Sequence, residues 1–131
     1  MIKANIENFT EKELSCRCCG KLIVNDKAVI GLQAFKYYLQ RKYKKNVRIT
    51  VNCSTRCPKH NKEVGGVPNS EHLEGIAFDI VSPDLDYKVL YAEAVASKLF
   101  STVIRYDKSK FVHADTRERP NFEINAWAWE K

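Results

Sequence analysis

The sequence predicts a small α+β domain, in which a small antiparallel sheet accompanies two main helices. Apolar residues recur at three- and four-residue steps in two segments, about 25–44 and 82–99, which predicts helices. Four short segments with strand-like patterns, at 47–51, 76–81, 102–106 and 111–116, predict the strands. A length of 131 residues leaves room for one domain, which we take to span residues 1–131.

The N-terminal third begins with a short helical turn and the first main helix. Thr10 and Glu13 fit a capping box, in which each side chain satisfies a free backbone N–H of the other residue. Asn25 or Asp26 caps the first main helix, and its basic residues are predicted to form a solvated outer face. The apolar positions of this helix are Val29, Leu32, Phe35, Leu39 and Tyr43, and its lysines are Lys36, Lys42, Lys44 and Lys45.

A long polar loop is predicted after the first strand, from Asn52 to Ser70. Loops of this length in compact domains are usually functional or disordered. Ser82, Pro83 and Asp84 predict the start of the second main helix, because Ser caps, Pro suits the first helical position and Asp favours the positive end of the dipole. Residues 107–110 are predicted to form a hairpin turn between the last two strands, and no clear period follows residue 118.

Composition and charge narrow the class of partner. The chain has 44% hydrophobic and 29% charged residues, which excludes disordered and collagen-like classes. A net charge of +6 favours an anionic partner: nucleic acid, an acidic membrane or a cell wall. No base-stacking motif accompanies the lysines, so we expect no nucleic-acid partner. We also expect a monomer with no membrane span and no visible signal peptide, made in the cytoplasm.

Five cysteines are an odd number for a disulfide framework. They are Cys16, Cys18, Cys19, Cys53 and Cys57. They could hold a second, structural zinc with His60 as a spare ligand, form a disulfide, or stay reduced.

Two of the three histidines point to a metal site. His72 precedes Asp79 by seven residues, and strand alternation puts Asp79 on the face opposite the apolar Phe78 and Ile80. In the last strand the same parity puts His113 and Asp115 on one face. If the two polar faces converge, His72, Asp79 and His113 form a two-nitrogen, one-oxygen set that suits zinc with an open fourth position. Alternatively, the histidines are unrelated surface or core residues.

The same segments resemble a known family. Ser70-x-His72-x-x-Gly75-x-Ala77-x-Asp79 and Phe111-Val112-His113-x-Asp115 resemble the M15 zinc peptidases, which are D-alanyl-D-alanine carboxypeptidases and peptidoglycan endopeptidases. The resemblance covers about residues 9–117 and includes Ser54-Thr55-Arg56-Cys57-Pro58 and Val64-Gly65-Gly66. It implies a hedgehog/DD-peptidase-like fold, with His72, Asp79 and His113 as zinc ligands.

The resemblance also implies roles around the metal. Arg56 would contact the substrate carbonyl or carboxylate, as a guanidinium fork does well, and Ser70 would bind substrate or cap a turn. Many relatives carry an acidic residue three positions before the last histidine, where this chain has Lys110. Asp115 is then the nearest replacement as general base; alternatively it orients His113 or pairs with Arg117.

Together with the ligand set, this resemblance implies a zinc metallopeptidase that acts at the bacterial cell wall and cleaves peptidoglycan stem peptides at a D-amino acid. It could be a carboxypeptidase or an endopeptidase, and an endolysin-like role in phage lysis is compatible with either. Two other classes stay open: a non-catalytic zinc module that binds cell-wall glycan, peptide or protein, and a cysteine-based zinc module that binds nucleic acid.

Overall fold

A five-stranded sheet lies at the centre of the structure, a computed structural model that describes residues 9, 11–16, 19–20, 22, 25–54, 77–117 and 124–129. Its elements confirm the α+β class. In chain order they are α1 (Glu11–Leu14), α2 (Asp26–Tyr43), β1 (Thr50–Cys53), β2 (Ala77–Val81), α3 (Tyr87–Ser97), β3 (Thr102–Tyr106), β4 (Phe111–Asp115) and β5 (Asn125–Trp129).

The strand order is β1-β2-β4-β3-β5, so β4 lies in the middle of the sheet. The pairs β1–β2, β2–β4 and β3–β4 are antiparallel. The strand β5 pairs with β3 in parallel, which makes the sheet mixed, and the sequence pattern did not predict this strand. The hairpin between β3 and β4 is confirmed, and its turn ends at Lys110 in a left-handed conformation (φ 57°).

One face of the sheet forms the hydrophobic core with the two long helices. Phe78, Val112 and Ala114 on that face join Phe35 of α2 and Leu90 of α3 in one buried cluster. Because side chains alternate along a strand, Asp79, His113 and Asp115 lie on the opposite face. The predicted separation of an apolar core face from a polar site face is therefore confirmed for β2 and β4.

The helix α2 begins and ends close to the predicted positions. The Asn25 side chain caps it by accepting hydrogen bonds from the backbone N–H groups of Lys27 and Ala28. It ends where Lys44 adopts a left-handed conformation with φ 54°. A buried carboxylate, Glu93 of α3, then joins the two helices by accepting hydrogen bonds from Lys42 Nζ (2.7 Å) and Tyr43 OH (2.6 Å).

The prediction of a fully solvated lysine face is wrong at Lys36. This residue is buried, and its Nζ donates to the carbonyl of Val47 at 3.0 Å and to Asn46 Oδ1 at 3.5 Å. Burial lowers the pKa of Lys36, although the charges of Asp84 and Glu13 oppose that effect. The aliphatic part of the side chain can pack while the amine finds oxygen acceptors at its tip.

The first strand and the second main helix begin later in the structure than predicted, and Arg48 and Asp84, which lie before their starts, bind each other. The Asp84 carboxylate accepts from the Arg48 backbone N–H (2.8 Å) and from its guanidinium (2.8 and 3.1 Å). Ser82 Oγ donates to the Arg48 carbonyl, so these residues join two loops and do not start a helix. The helix α3 begins later, at Tyr87, with Asp86 as its cap. The first strand likewise begins at Thr50 and not at residue 47.

The remaining predictions in the N-terminal half are tested only in part. The turn α1 is present, but Thr10 of the predicted capping box lies outside the described residues. Of the predicted loop from Asn52 to Ser70, only residues 52–54 are described; the predicted start is wrong, because Asn52 and Cys53 are the last two residues of β1. Within the described ranges, no helix has the length and apolar character to cross a membrane.

Candidate active site

Asp79 and His113 face each other across the two strands that carry them. They are direct partners in the antiparallel register of β2 and β4, and side chains so paired share a sheet face. Asp79 Oδ1 lies 3.1 Å from His113 Nδ1. Both residues are buried, with 8% and 7% of their surfaces exposed. Residues that are 34 positions apart in the chain thus become immediate neighbours.

The other ring nitrogen of His113 faces a second carboxylate. His113 Nε2 lies 2.7 Å from Asp115 Oδ2, and Asp115 is fully buried. Arg117 binds the same carboxylate: its Nη2 donates to Oδ2 at 2.6 Å and its Nε to Oδ1 at 3.0 Å. Burial by itself raises the pKa of Asp115, but the hydrogen bonds from His113 and Arg117 outweigh it, so this pKa lies below its ordinary value.

Backbone contacts fix the end of β4 that carries Asp115. The Ser101 N–H donates to the Asp115 carbonyl at 2.9 Å, and the Ser101 hydroxyl donates to the carbonyl of Arg117. The backbone N–H of Arg117 in turn donates to Asp115 Oδ1 at 3.2 Å. Sequence reasoning missed Ser101, because a serine between a helix and a strand carries no signal that distinguishes it from any turn residue.

The chemistry of the Asp79–His113 pair fits a shared cation. A neutral imidazole donates through one nitrogen and accepts through the other. If Nε2–H donates to the ionised Asp115, then Nδ1 directs a lone pair at the Asp79 carboxylate, and two acceptors at 3.1 Å require a proton or a metal ion between them. Two ligands of one tetrahedral zinc lie about 3.3 Å apart, which is close to the observed separation.

The third predicted ligand and the predicted substrate contacts are not among the described residues. His72, Arg56 and Ser70 all lie outside them, so their roles stay predictions. Across the described ranges, no group of three or more His, Cys, Asp or Glu side chains is arranged to hold a metal ion. The described part of the chain therefore supplies two of the three predicted ligands, side by side.

The remaining predicted features lie around this pair. Lys110, at the position of the family's acidic residue, is exposed in the β3–β4 turn. Cys53 is half-buried and lies opposite Asp79 in the register of β1 and β2, a neighbour that the sequence did not predict. A bulge between Val51 and Cys53 shifts this register. The alternation of apolar and polar residues in the sequence does not indicate this bulge. Cys18 and Cys57 lie outside the described residues, so the role of the cysteines stays open.

Comparison with known proteins agrees with the geometry. No curated protein matches the chain. The family model described as Peptidase M15 matches residues 7–115, which include β2, β4 and the Asp79–His113 pair. This match covers well over half of the sequence and confirms the resemblance drawn from the residue pattern. The chain belongs to the peptidase M15 family.

Proposed function

We propose that this peptidase is zinc-dependent and that it cleaves a peptide bond in peptidoglycan stem peptides, at a D-amino acid. The observation that carries the proposal is the facing pair Asp79 Oδ1 and His113 Nδ1, two zinc-type donors 3.1 Å apart in a member of a peptidase family. The net charge of +6 supports an anionic substrate such as the bacterial cell wall.

In this proposal Asp79 and His113, with His72, hold the metal. Bound zinc supplies a Lewis acid that polarises a carbonyl group and lowers the pKa of a water molecule. Asp115 accepts a hydrogen bond from His113 Nε2 and so orients the ring. Arg56 binds the substrate carbonyl or terminal carboxylate through its guanidinium, and Ser70 donates a hydrogen bond to the substrate.

The contacts of Asp115 favour orientation of His113 over the role of general base. A base must lie within hydrogen-bond distance of the proton that it accepts. Asp115 is fully buried, and its two carboxylate oxygens accept from His113 and Arg117. This arrangement supports the two alternatives to a general base that the sequence left open, orientation of His113 and pairing with Arg117.

The test combines metal content with activity on cell walls. Purified protein should carry about one zinc per chain and release fragments from isolated peptidoglycan, which mass spectrometry identifies. Release of a single D-amino acid would indicate a carboxypeptidase, and larger fragments an endopeptidase. We expect Asp79→Asn and His72→Ala to abolish release. Asp107→Asn is the matched control, because Asp107 binds Arg105 in a turn outside the site. Normal wall hydrolysis by folded Asp79→Asn protein would refute the proposal.

A second candidate is a non-catalytic zinc module that binds intact cell wall. Lys110 favours it, because the acidic residue of many relatives is missing at that position. This candidate predicts that zinc-loaded protein sediments with peptidoglycan but releases no fragment from it. Turnover that depends on zinc would exclude it.

A further inference from the structure

We propose that Arg117 is a positioning residue for the candidate metal site: acting through Asp115, it fixes the His113 ring so that Nδ1 faces Asp79. This inference rests on the proposed function and deepens it. Arg117 lies two residues beyond the segment that the family model matches, which ends at residue 115.

The first step of the argument is the burial of Asp115. A carboxylate removed from water is costly unless a cation and hydrogen bonds compensate it. Asp115 is fully buried, and the Arg117 guanidinium meets it with Nη2 at 2.6 Å and Nε at 3.0 and 3.1 Å. Arg117 itself is partly exposed, with 32% of its side-chain surface accessible. Its guanidinium therefore neutralises the buried carboxylate while part of the side chain stays accessible to solvent.

The second step is the effect of this ion pair on His113. An ionised Asp115 accepts a hydrogen bond and cannot donate one, so Nε2 of the ring must carry the hydrogen. Only Nδ1 then remains to bind a cation shared with Asp79. Fixed partners of this kind set both the tautomer and the ring orientation of metal-binding histidines. Without Arg117, the carboxylate loses the guanidinium that binds both of its oxygens.

The third step is that the fork and the carboxylate that it binds belong to the same strand end. Asp115 and Arg117 are two residues apart, and His113 precedes Asp115 by two. The fork therefore joins two residues that are already neighbours in the chain. Arg117 Nη2 and His113 Nε2 both contact Asp115 Oδ2, so a change at Arg117 acts directly on the oxygen that faces the ring.

The chain contains a matched control. Arg105 and Asp107 are also two residues apart, and Arg105 Nε lies 2.7 Å from Asp107 Oδ1. Asp107 is partly exposed, and the Arg105 guanidinium lies over the ring of Tyr91, on the helix side of the sheet. Replacement of Arg105 removes the same type of ion pair with no link to His113.

The experiment compares Arg117→Gln, Arg117→Lys and Arg105→Gln with the wild-type protein. Zinc affinity is measured by competition with a chelator, and the Nε2–H of His113 is followed by NMR in the zinc-loaded protein. We expect Arg117→Gln to weaken zinc binding about 10- to 100-fold and to lose the slowly exchanging Nε2–H signal. Arg117→Lys, which keeps the charge without the fork, should recover part of the affinity. Arg105→Gln should match wild type within about twofold.

The outcomes separate this inference from the proposed function. If wild-type protein binds no zinc, the proposed function fails and the inference falls with it. If wild-type protein binds zinc and folded Arg117→Gln protein binds it equally with the same Nε2–H signal, only the inference is overturned. If Arg117→Gln does not fold, Arg117→Lys carries the test, and wild-type affinity in that variant overturns the inference.

Discussion

Two buried carboxylates of the domain, Glu93 and Asp115, are held in the same way but serve different parts of the molecule. Each accepts hydrogen bonds from one basic side chain and from a polar aromatic ring. The donors are Lys42 and Tyr43 for Glu93, with Tyr38 farther away at 3.5 Å, and Arg117 and His113 for Asp115. In both cases burial raises the pKa of the carboxyl, and hydrogen bonds outweigh it and lower the pKa.

The difference lies in where the partners come from. The partners of Glu93 are on another helix, about 50 residues earlier in the chain, so this cluster joins α2 to α3. His113 and Arg117 lie two residues on either side of Asp115, so the hydrogen bonds to this carboxylate come from its own strand end. A buried ionised group therefore has two uses here. One stabilises the packing of helices, and the other fixes the direction of a ring.

The largest effect is expected on the site side of the comparison. Asp115→Asn keeps the shape of the side chain but replaces a group that only accepts hydrogen bonds by one that can also donate. The hydrogen of the His113 ring is then no longer restricted to Nε2. We expect zinc affinity and peptidase activity to fall about 10- to 100-fold. Chelator competition and a peptidoglycan-release assay measure the two quantities. A variant with wild-type affinity and activity would show that Asp115 does not orient His113.

The next effect is expected on the helix side. Glu93→Ala removes the acceptor for Lys42 and Tyr43, so the free energy of unfolding should fall by about 2 kcal/mol. Denaturation in urea measures the change. Zinc affinity of the folded variant should remain at the wild-type value, because the cluster lies on the core side of the sheet. A stability equal to wild type would refute the view that Glu93 joins the two helices.

A smaller effect concerns acid stability. The pKa of Glu93 is lower in the folded chain than its ordinary value of 4.5, so its contribution is present above that value and is lost as pH falls through the folded pKa. Glu93→Gln should therefore be less stable than wild type at pH 7. The difference should shrink as pH falls below the ordinary value. Urea denaturation at a series of pH values tests this, and a constant difference would contradict it.

The smallest effect is expected at the end of α2. Lys44 has a left-handed backbone (φ 54°), which a residue with a Cβ adopts at a cost. Lys44→Gly should raise the free energy of unfolding by about 0.5 kcal/mol. Lys45→Gly is the matched control, since φ of Lys45 is not positive, and it should not stabilise the protein. Thermal denaturation of both variants and of the wild-type protein measures the differences in stability.

Local signals predicted the elements that local chemistry determines. The Asn25 cap, the turn at residues 107–110 and the parity that puts Asp79 and His113 on the polar face all follow from neighbours within a few positions. Predictions failed where a distant partner decided the outcome. Lys36 is buried because the Val47 carbonyl accepts its amine, and Ser82 does not start a helix because it binds the Arg48 carbonyl.

The candidate site shows the same division. The sequence could predict that His113, Asp115 and Arg117 share a face, because they alternate along one strand. It could not predict that Asp115 is fully enclosed, since that depends on the packing of other segments around it. Nor could it predict β5, whose parallel pairing with β3 brings together residues that are more than 20 positions apart.

The direct pairing of Asp79 with His113 also predicts an order of assembly. The β3–β4 hairpin closes over a four-residue turn, and it carries His113 and Asp115 together. Asp79 joins only when β2 pairs with β4, which closes a loop of 34 positions that contains all of α3 and β3. A slip of this pairing by one residue would replace Asp79 by an apolar neighbour from the other face. We therefore expect Asp79 and His113 to come together late in folding, and only when β2 and β4 pair in the native register.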